Sequence, residues 1–205
     1  MTTLWKTTML LTLTLGLSGS PIACDSGDDD EAERQAVADA LRGTWLTACL
    51  PTGQDAWGTF SFTNAGETGS FTYTMHADDT CSFALAEFTL YSHQHVGALV
   101  PSAGPDAREL DVLYDRLTAT ALVDDLAVAF TQAGCGAADV VVGEEIDISD
   151  TGCFTFKSIA DCPADYDIMA IDADDRYYNG VRTANMCVTT GRPTELNSFP
   201  FLRIE

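Results

Sequence analysis

Apolar and polar residues alternate through most of the chain after Gly43, and a period of two is typical of β-strands that are buried on one side. Phe60 and Phe62, for example, share one face of a segment whose other face carries Thr and Ser. Turn-rich clusters separate the alternating segments, which indicates an antiparallel meander. The predicted strands are 44–49, 56–63, 70–76, 84–96, 110–122, 140–148, 166–171, 176–178 and 199–204.

A period near 3.6 replaces this alternation in two places and predicts two helices. The first covers 30–42, with carboxylates at its positive end and Arg42 at its negative end. The second covers 123–132 and is ended by Gly134. Because closure removes exposed strand edges, the pattern predicts a mainly β fold, an antiparallel barrel of about eight strands with an N-terminal and an inserted helix.

The first 23 residues have the order of a secretory signal peptide. A short basic start, 1–6, precedes an apolar run, 9–17, and small residues lead to Cys24. The apolar run is shorter than the roughly 20 residues that a membrane-spanning helix needs. Ile22-Ala23-Cys24 resembles the lipobox of bacterial lipoproteins. This resemblance implies that Cys24 is lipidated and becomes the new N-terminus.

The number of cysteines agrees with lipidation. The chain has seven, and an odd thiol in an exported protein needs an explanation. Using Cys24 for the anchor leaves an even number for disulfides in an oxidising compartment. Pro21 stands where the lipobox usually has Leu, so ordinary cleavage to a freely secreted protein is the alternative. The six remaining cysteines are Cys49, Cys81, Cys135, Cys153, Cys162 and Cys187.

The acidic composition of the chain disfavours polyanionic partners. Without residues 1–23, the chain of 182 residues has 9 basic and 31 acidic residues, a net formal charge of −22. Such a charge repels nucleic acids and anionic lipid headgroups. The length fits one domain, predicted over 32–205, after an acidic tether at 24–31. The predicted location is the bacterial cell envelope, with attachment to a membrane through the lipid.

Gly43-Thr44-Trp45 at the start of the first strand, with Arg203 in the last, is similar to lipocalin-like barrels. In that superfamily, a Gly-x-Trp motif closes one end of the barrel and an arginine stacks on the tryptophan. The spacing to Cys49 and Cys81 also resembles the lipocalin-like ectodomain of the adenomatosis-polyposis-coli-down-regulated family. Similar arrangements are found in bacterial lipoproteins of unknown function. The resemblance assigns Gly43, Trp45 and Arg203 to the barrel floor.

Within such a barrel, Cys49 and Cys81 would lie on neighbouring strands and pair. Six cysteines allow 15 connectivities, and we take Cys153–Cys162 as a short loop, which leaves Cys135–Cys187. The inward aromatic residues are candidates for lining a ligand cavity or for filling a solid barrel. Arg116 shares a face with Tyr114 and would meet a ligand carboxylate if that face is inward. The cavity candidates are Phe60, Phe62, Phe71, Tyr73, Phe88, Tyr114 and Arg116.

Two groups of side chains raise the question of metal binding. His93 and His95 lie on one face of a strand, with His76 as a third candidate ligand for a transition metal, but the alternation places His93 and His95 towards solvent. The acidic residues of 161–175 carry oxygen ligands without the spacing of a calcium-binding EF-hand loop. In that region, 172–175 is predicted as a hairpin turn.

No catalytic motif is evident, since the mature region lacks His-Glu-x-x-His, Gly-x-Ser-x-Gly and a phosphate-binding glycine loop. The sequence therefore predicts a non-enzymatic, lipid-anchored envelope protein without a cofactor. Its barrel would hold a small apolar ligand or, alternatively, serve as a solid structural or interaction module. A metal-binding protein or a hydrolase is the less favoured alternative.

Overall fold

The computed structural model describes residues 26–53 and 56–204 of the chain. Cys24 and the predicted signal peptide lie outside these residues. The helices are α1 Ser26–Ala40 and α2 Asp124–Ala133, with a 3-10 turn at Thr189–Gly191. The strands are β1 Gly43–Thr47, β2 Leu50–Gly53, β3 Ala56–Asn64, β4 Thr68–His76, β5 Ala84–Leu99, β6 Arg108–Ala121, β7 Glu145–Asp147, β8 Ala164–Ile171, β9 Arg176–Asn179 and β10 Phe201–Arg203.

Eight of the described strands close into an antiparallel barrel, which confirms the predicted fold class. Their order is β1, β10, β9, β8, β6, β5, β4 and β3, and β3 pairs with β1 to complete the ring. β2 pairs with β3, and β7 pairs with β6. We call the end where Gly43 pairs with Asn64 the proximal end, and the end where Trp57 pairs with His76 the distal end.

The two helices lie at opposite ends of the barrel. α1 leads into β1 at the proximal end, and its Val37 and Ala38 pack against the core beside Leu41. It begins at Ser26, so most of the predicted acidic tether is helical. α2 follows β6 at the distal end, where its Phe130 is fully buried. No helix among the described residues is long and apolar enough to cross a membrane.

Aromatic side chains from several strands pack against one another inside the barrel. Small inward side chains on β5 and β6 leave room for Phe130 of α2, which lies 5.6 Å from Phe88 between ring centroids. The proximal cluster is built around Trp45 and Tyr177. A distal cluster surrounds Phe88 and Phe130. Phe71 packs against both the proximal and the distal cluster, so the core is continuous from one end of the barrel to the other.

Three disulfides join described cysteines, and one of the three predicted pairs is confirmed. Cys49 bonds to Cys81 as predicted. The other two predicted pairs, Cys153–Cys162 and Cys135–Cys187, are wrong. The bonds are Cys135–Cys153 and Cys162–Cys187.

Local hydrogen bonds explain the corrected pairing. The segment after α2 runs beside the turn at 151–153, because the Gly136 amide donates to Thr151 Oγ1 at 2.9 Å. This contact brings Cys135 to Cys153. The Tyr166 amide donates to the Met186 carbonyl at 2.8 Å, which holds the segment after β9 along β8 and brings Cys187 to Cys162.

A tryptic digest without reduction should reveal this pairing, because cleavage sites separate the two possibilities. Cys135 and Cys153 share peptide 117–157, while Cys162 and Cys187 fall on peptides 158–176 and 183–203. We expect 117–157 to be released alone with an internal disulfide and the other two to be joined to each other. A species that links 117–157 to 158–176 would contradict the structure.

Replacing Cys135 and Cys153 by Ser should lower the free energy of unfolding by about 3 kcal/mol, measured in urea.

Candidate functional site

The barrel floor has the arrangement that the Gly-x-Trp motif predicts. Trp45 is fully buried at the proximal end, and its Nε1 donates to the Leu41 carbonyl at 2.8 Å. Trp45 pairs with Arg203 across β1 and β10, and the guanidinium carbon lies 4.0 Å from the ring centroid. Arg203 Nε also bonds to Asp175 Oδ2 at 2.6 Å. The guanidinium therefore joins the floor to the β8–β9 hairpin.

The aromatic cavity candidates face the interior and contact one another there. Phe60 stacks on Tyr73 with centroids 5.1 Å apart, and Tyr73 reaches Phe88 at 6.2 Å. Two shallow depressions of the described surface are lined by Tyr178 and by Tyr91, respectively. Phe62 and Phe88 are buried, whereas Phe60, Phe71, Tyr73 and Tyr114 are partly buried.

Arg116 is the exception among these candidates, because it lies on the outer surface. Tyr91 pairs with Arg116 while Ser92 pairs with Tyr114, so Asp115 is an extra residue in β6. This β-bulge reverses the alternation, and Tyr114 and Arg116 face opposite sides. Arg116 forms ion pairs with Glu145 and Asp147 instead of meeting the barrel interior.

The three histidines do not form one site. His93 and His95 are exposed, as the alternation predicts, and His93 Nδ1 contacts Asp115 Oδ2 at 2.7 Å. His76 is buried at the far end of β4 from Thr68, the residue that pairs with His93. At about 3.3 Å per residue, the separation along β4 is roughly 25 Å. Within 26–53 and 56–204, no group of three or more potential ligands is close enough to hold a metal ion.

The acidic residues of 161–175 lie in three environments, the first of which is a local turn where Asp161 Oδ2 accepts from Ser158 Oγ at 2.8 Å. The β8–β9 turn is built as predicted: Asp172 Oδ1 accepts from the Asp174 and Arg176 amides at 2.9 and 3.1 Å. Asp165 and Asp167, by contrast, lie opposite Val112 and Leu110 of β6. Since directly paired residues share a face, both carboxylates point into the barrel.

We call Asp165 and Asp167 the acidic pair. Each is 6% exposed, and they are successive inward residues of β8, about 7 Å apart along the strand. Asp167 Oδ1 accepts from the Ile168 amide at 2.7 Å and the Gly180 amide at 3.0 Å. Gly180 permits this close approach, because a Cβ there would lie 2.5 Å from the Asp167 oxygen.

Arg182, which follows β9, supplies the cation. Its Nη1 donates to Asp165 Oδ2 at 2.8 Å, although 65% of the Arg182 side chain is exposed. Asp165 Oδ1 is buried and has no hydrogen-bond partner among the described residues. Asp165 Oδ1 therefore lacks a well-formed hydrogen bond, although the Tyr114 side chain lies beside this carboxylate, and a buried polar atom without a partner is costly.

Burial dominates the titration of the groups around the acidic pair. It raises the pKa of Asp167 to about 7, and repulsion from Asp165 acts in the same direction, while the two amide hydrogen bonds oppose them. Burial also raises the pKa of Tyr114, and the Asp165 carboxylate raises it further. The pKa of Tyr177 is raised by burial and by both carboxylates. Perturbed groups of this kind concentrate at functional sites.

In the sequence, these carboxylates are candidates only for calcium binding. Their spacing in the sequence indicates that Asp165 and Asp167 lie on the same side of the sheet, since residues two apart in a strand share a face. The predicted strand began at Tyr166 and omitted Asp165, and the sequence did not show which face of β8 is inward.

No family model matches the chain, and no curated protein is significantly similar to it.

Proposed function

We propose that the protein is a non-enzymatic, lipid-anchored protein of the bacterial cell envelope whose filled barrel is an interaction module. In this proposal, Cys24 carries the lipid and α1 connects it to the proximal end. The distal end faces away from the membrane and is available to an envelope partner. Neither a cofactor nor a nucleic acid takes part.

The observation that carries the proposal is the opposite placement of α1 and the disulfides. Cys49 and Cys81 follow the distal ends of β1 and β4, and Cys162 precedes the distal start of β8. The Cys135–Cys153 bond lies between α2 and β8, also at the distal end. Disulfides restrict the loops they join. The covalently restrained end is therefore the end opposite the chain's N-terminal helix.

α1 is fixed to the barrel by a buried cation. Arg108 is 1% exposed, and its Nη2 lies 2.9 Å from Glu33 of α1. Its Nη1 donates to the Gly97 carbonyl at 3.3 Å and lies 3.5 Å from Asp30. Moving α1 away would leave this buried charge without its counter-ions, which is unfavourable. An anchor next to α1 would therefore hold the barrel in a defined orientation.

A binder of small apolar molecules is the second candidate, and the incomplete burial of Phe60, Phe71 and Tyr73 favours it. The interior contacts between aromatic rings favour the filled barrel instead. Titrating the purified protein with a fluorescent fatty acid separates the two. A filled barrel should show no saturable binding, whereas saturable binding that a Tyr73→Ala substitution weakens would establish the binder.

Metabolic labelling with a fatty acid tests the anchor. We expect Cys24→Ser to abolish the label and to release the protein from the membrane fraction, because the thiol is the acylation site. A matched control is the double substitution of Cys162 and Cys187 by Ser, which removes two thiols and should keep the label. Equal labelling of wild type and Cys24→Ser would disprove the lipid anchor.

A further inference from the structure

We propose that the acidic pair is a binding site for a guanidinium group, and that Arg182 occupies it as an internal substitute for that ligand. The ligand's guanidinium would displace Arg182 and hydrogen-bond to the carboxylates of Asp165 and Asp167. This binding site does not depend on the lipid anchor.

The first support is the shape and burial of the acceptor set. Two inward carboxylates about 7 Å apart along β8 face one cation, and Asp165 Oδ1 is left without a partner. A guanidinium has five N–H donors in a planar fork and satisfies several acceptors at once. Tyr114 lies beside Asp165 and Tyr177 near both carboxylates, and aromatic rings also attract cations.

The second support is the weak attachment of Arg182. Within the described residues, one hydrogen bond holds its guanidinium, from Nη1 to Asp165 Oδ2. Arg182 belongs to no strand or helix, so its side chain can leave without breaking a sheet pairing. The main-chain contacts of Asp167 with Ile168 and Gly180 do not depend on Arg182 and keep the site in place.

The third support is charge. The formal net charge of the full chain is −21, so the molecule attracts cationic ligands over a range set by ionic strength. A free small molecule and an arginine side chain of a protein partner present the same group. The experiment therefore uses agmatine for the first source and a short uncharged peptide with a single arginine for the second.

Isothermal titration of wild type and Arg182→Ala with agmatine and with the peptide tests the proposal. Removing the internal competitor should tighten binding by about tenfold or more, because wild type pays for displacing Arg182. Adding Asp165→Asn to Arg182→Ala should abolish the gain. Tighter binding of agmatine alone indicates a small-molecule site, and tighter binding of the peptide alone indicates a protein partner.

Arg116→Ala is the matched control, since it removes an outer-surface arginine that also pairs with two carboxylates. It changes the net charge equally and should not alter affinity. Equal affinities of wild type and Arg182→Ala, or an equal gain in Arg116→Ala, would overturn the proposal. If Arg182→Ala does not fold, the test is the melting temperature of wild type in the two salts. Agmatine should raise this temperature, and tetramethylammonium at the same ionic strength should not. No difference between the two salts would also overturn the proposal.

Discussion

Replacing Trp45 by Ala should lower the free energy of unfolding by about 3–5 kcal/mol, the range for deleting a large aromatic side chain from a core. Trp45 is fully buried, and the substitution removes its contact with Tyr177 and its hydrogen bond to the Leu41 carbonyl. The space left at the floor cannot be filled easily, because the strands around it are closed into a ring. The measurement is equilibrium unfolding in urea.

A double-mutant cycle with Arg203→Ala isolates the stacked cation. Since the guanidinium carbon is 4.0 Å from the ring centroid and the Arg203 side chain is 29% exposed, we expect a coupling energy of about 1 kcal/mol. Phe83→Ala is the control for losing an aromatic side chain, because Phe83 is 56% exposed and its removal should cost less than about 0.5 kcal/mol. A cost below about 1 kcal/mol for Trp45→Ala would show that Trp45 is not the closing element of the floor.

The elements that sequence analysis located well are those whose pattern is local and long. β4, β5 and β6 alternate over many residues, and their predicted faces agree with the inward positions of Phe71, Phe88 and Leu110. α2 was also found, because its apolar residues recur at helical spacing and Gly134 ends it in a left-handed conformation. In each case the signal is complete within one segment.

The misplaced features depend on contacts between distant segments. Only three residues of the predicted strand 140–148 pair with β6, since the rest covers the distal end as a loop. β2 has no alternating apolar face to reveal it, and three of its four residues are exposed. The disulfide pairing and the bulge at Asp115 likewise follow from how β6, β8 and their connecting segments pack. No spacing in the sequence encodes these contacts.

The acidic pair falls between these cases. Its residues lie at strand spacing, but its burial depends on the pairing of β8 with β6 and on the segment that returns after β9. Arg182 is 17 residues from Asp165 and belongs to no periodic element. The sequence pattern therefore indicates the two carboxylates but not the arginine that pairs with them.

The free energy of unfolding of wild type should fall as the pH rises, because Asp167 ionises in a buried position. In the Asp167→Asn variant this fall should be absent. Because the folded protein raises the pKa of Asp167 from 3.8 to about 7, the folded state binds its proton more tightly than the unfolded state. The stabilisation is complete below about pH 4 and is lost as the pH rises to about 7. At 1.36 kcal/mol per pKa unit, this loss is on the order of 4 kcal/mol. The measurement is urea unfolding of both proteins from pH 4 to 8.

The direction in which stability changes with pH distinguishes a buried acid with a raised pKa from an acid, such as Asp172, whose pKa is lowered by a neighbouring arginine. Asn keeps an oxygen for the Ile168 and Gly180 amides, so Asp167→Asn should match wild type near pH 4 and exceed its stability near pH 8. Asp172→Asn is the control with the opposite sign: Arg176 lowers the pKa of Asp172, so the contribution of that carboxylate is lost as the pH falls. Parallel pH profiles for wild type and Asp167→Asn would mean that Asp167 titrates normally. Its carboxylate would then be in contact with water, and the interior at β8 would be open instead of filled.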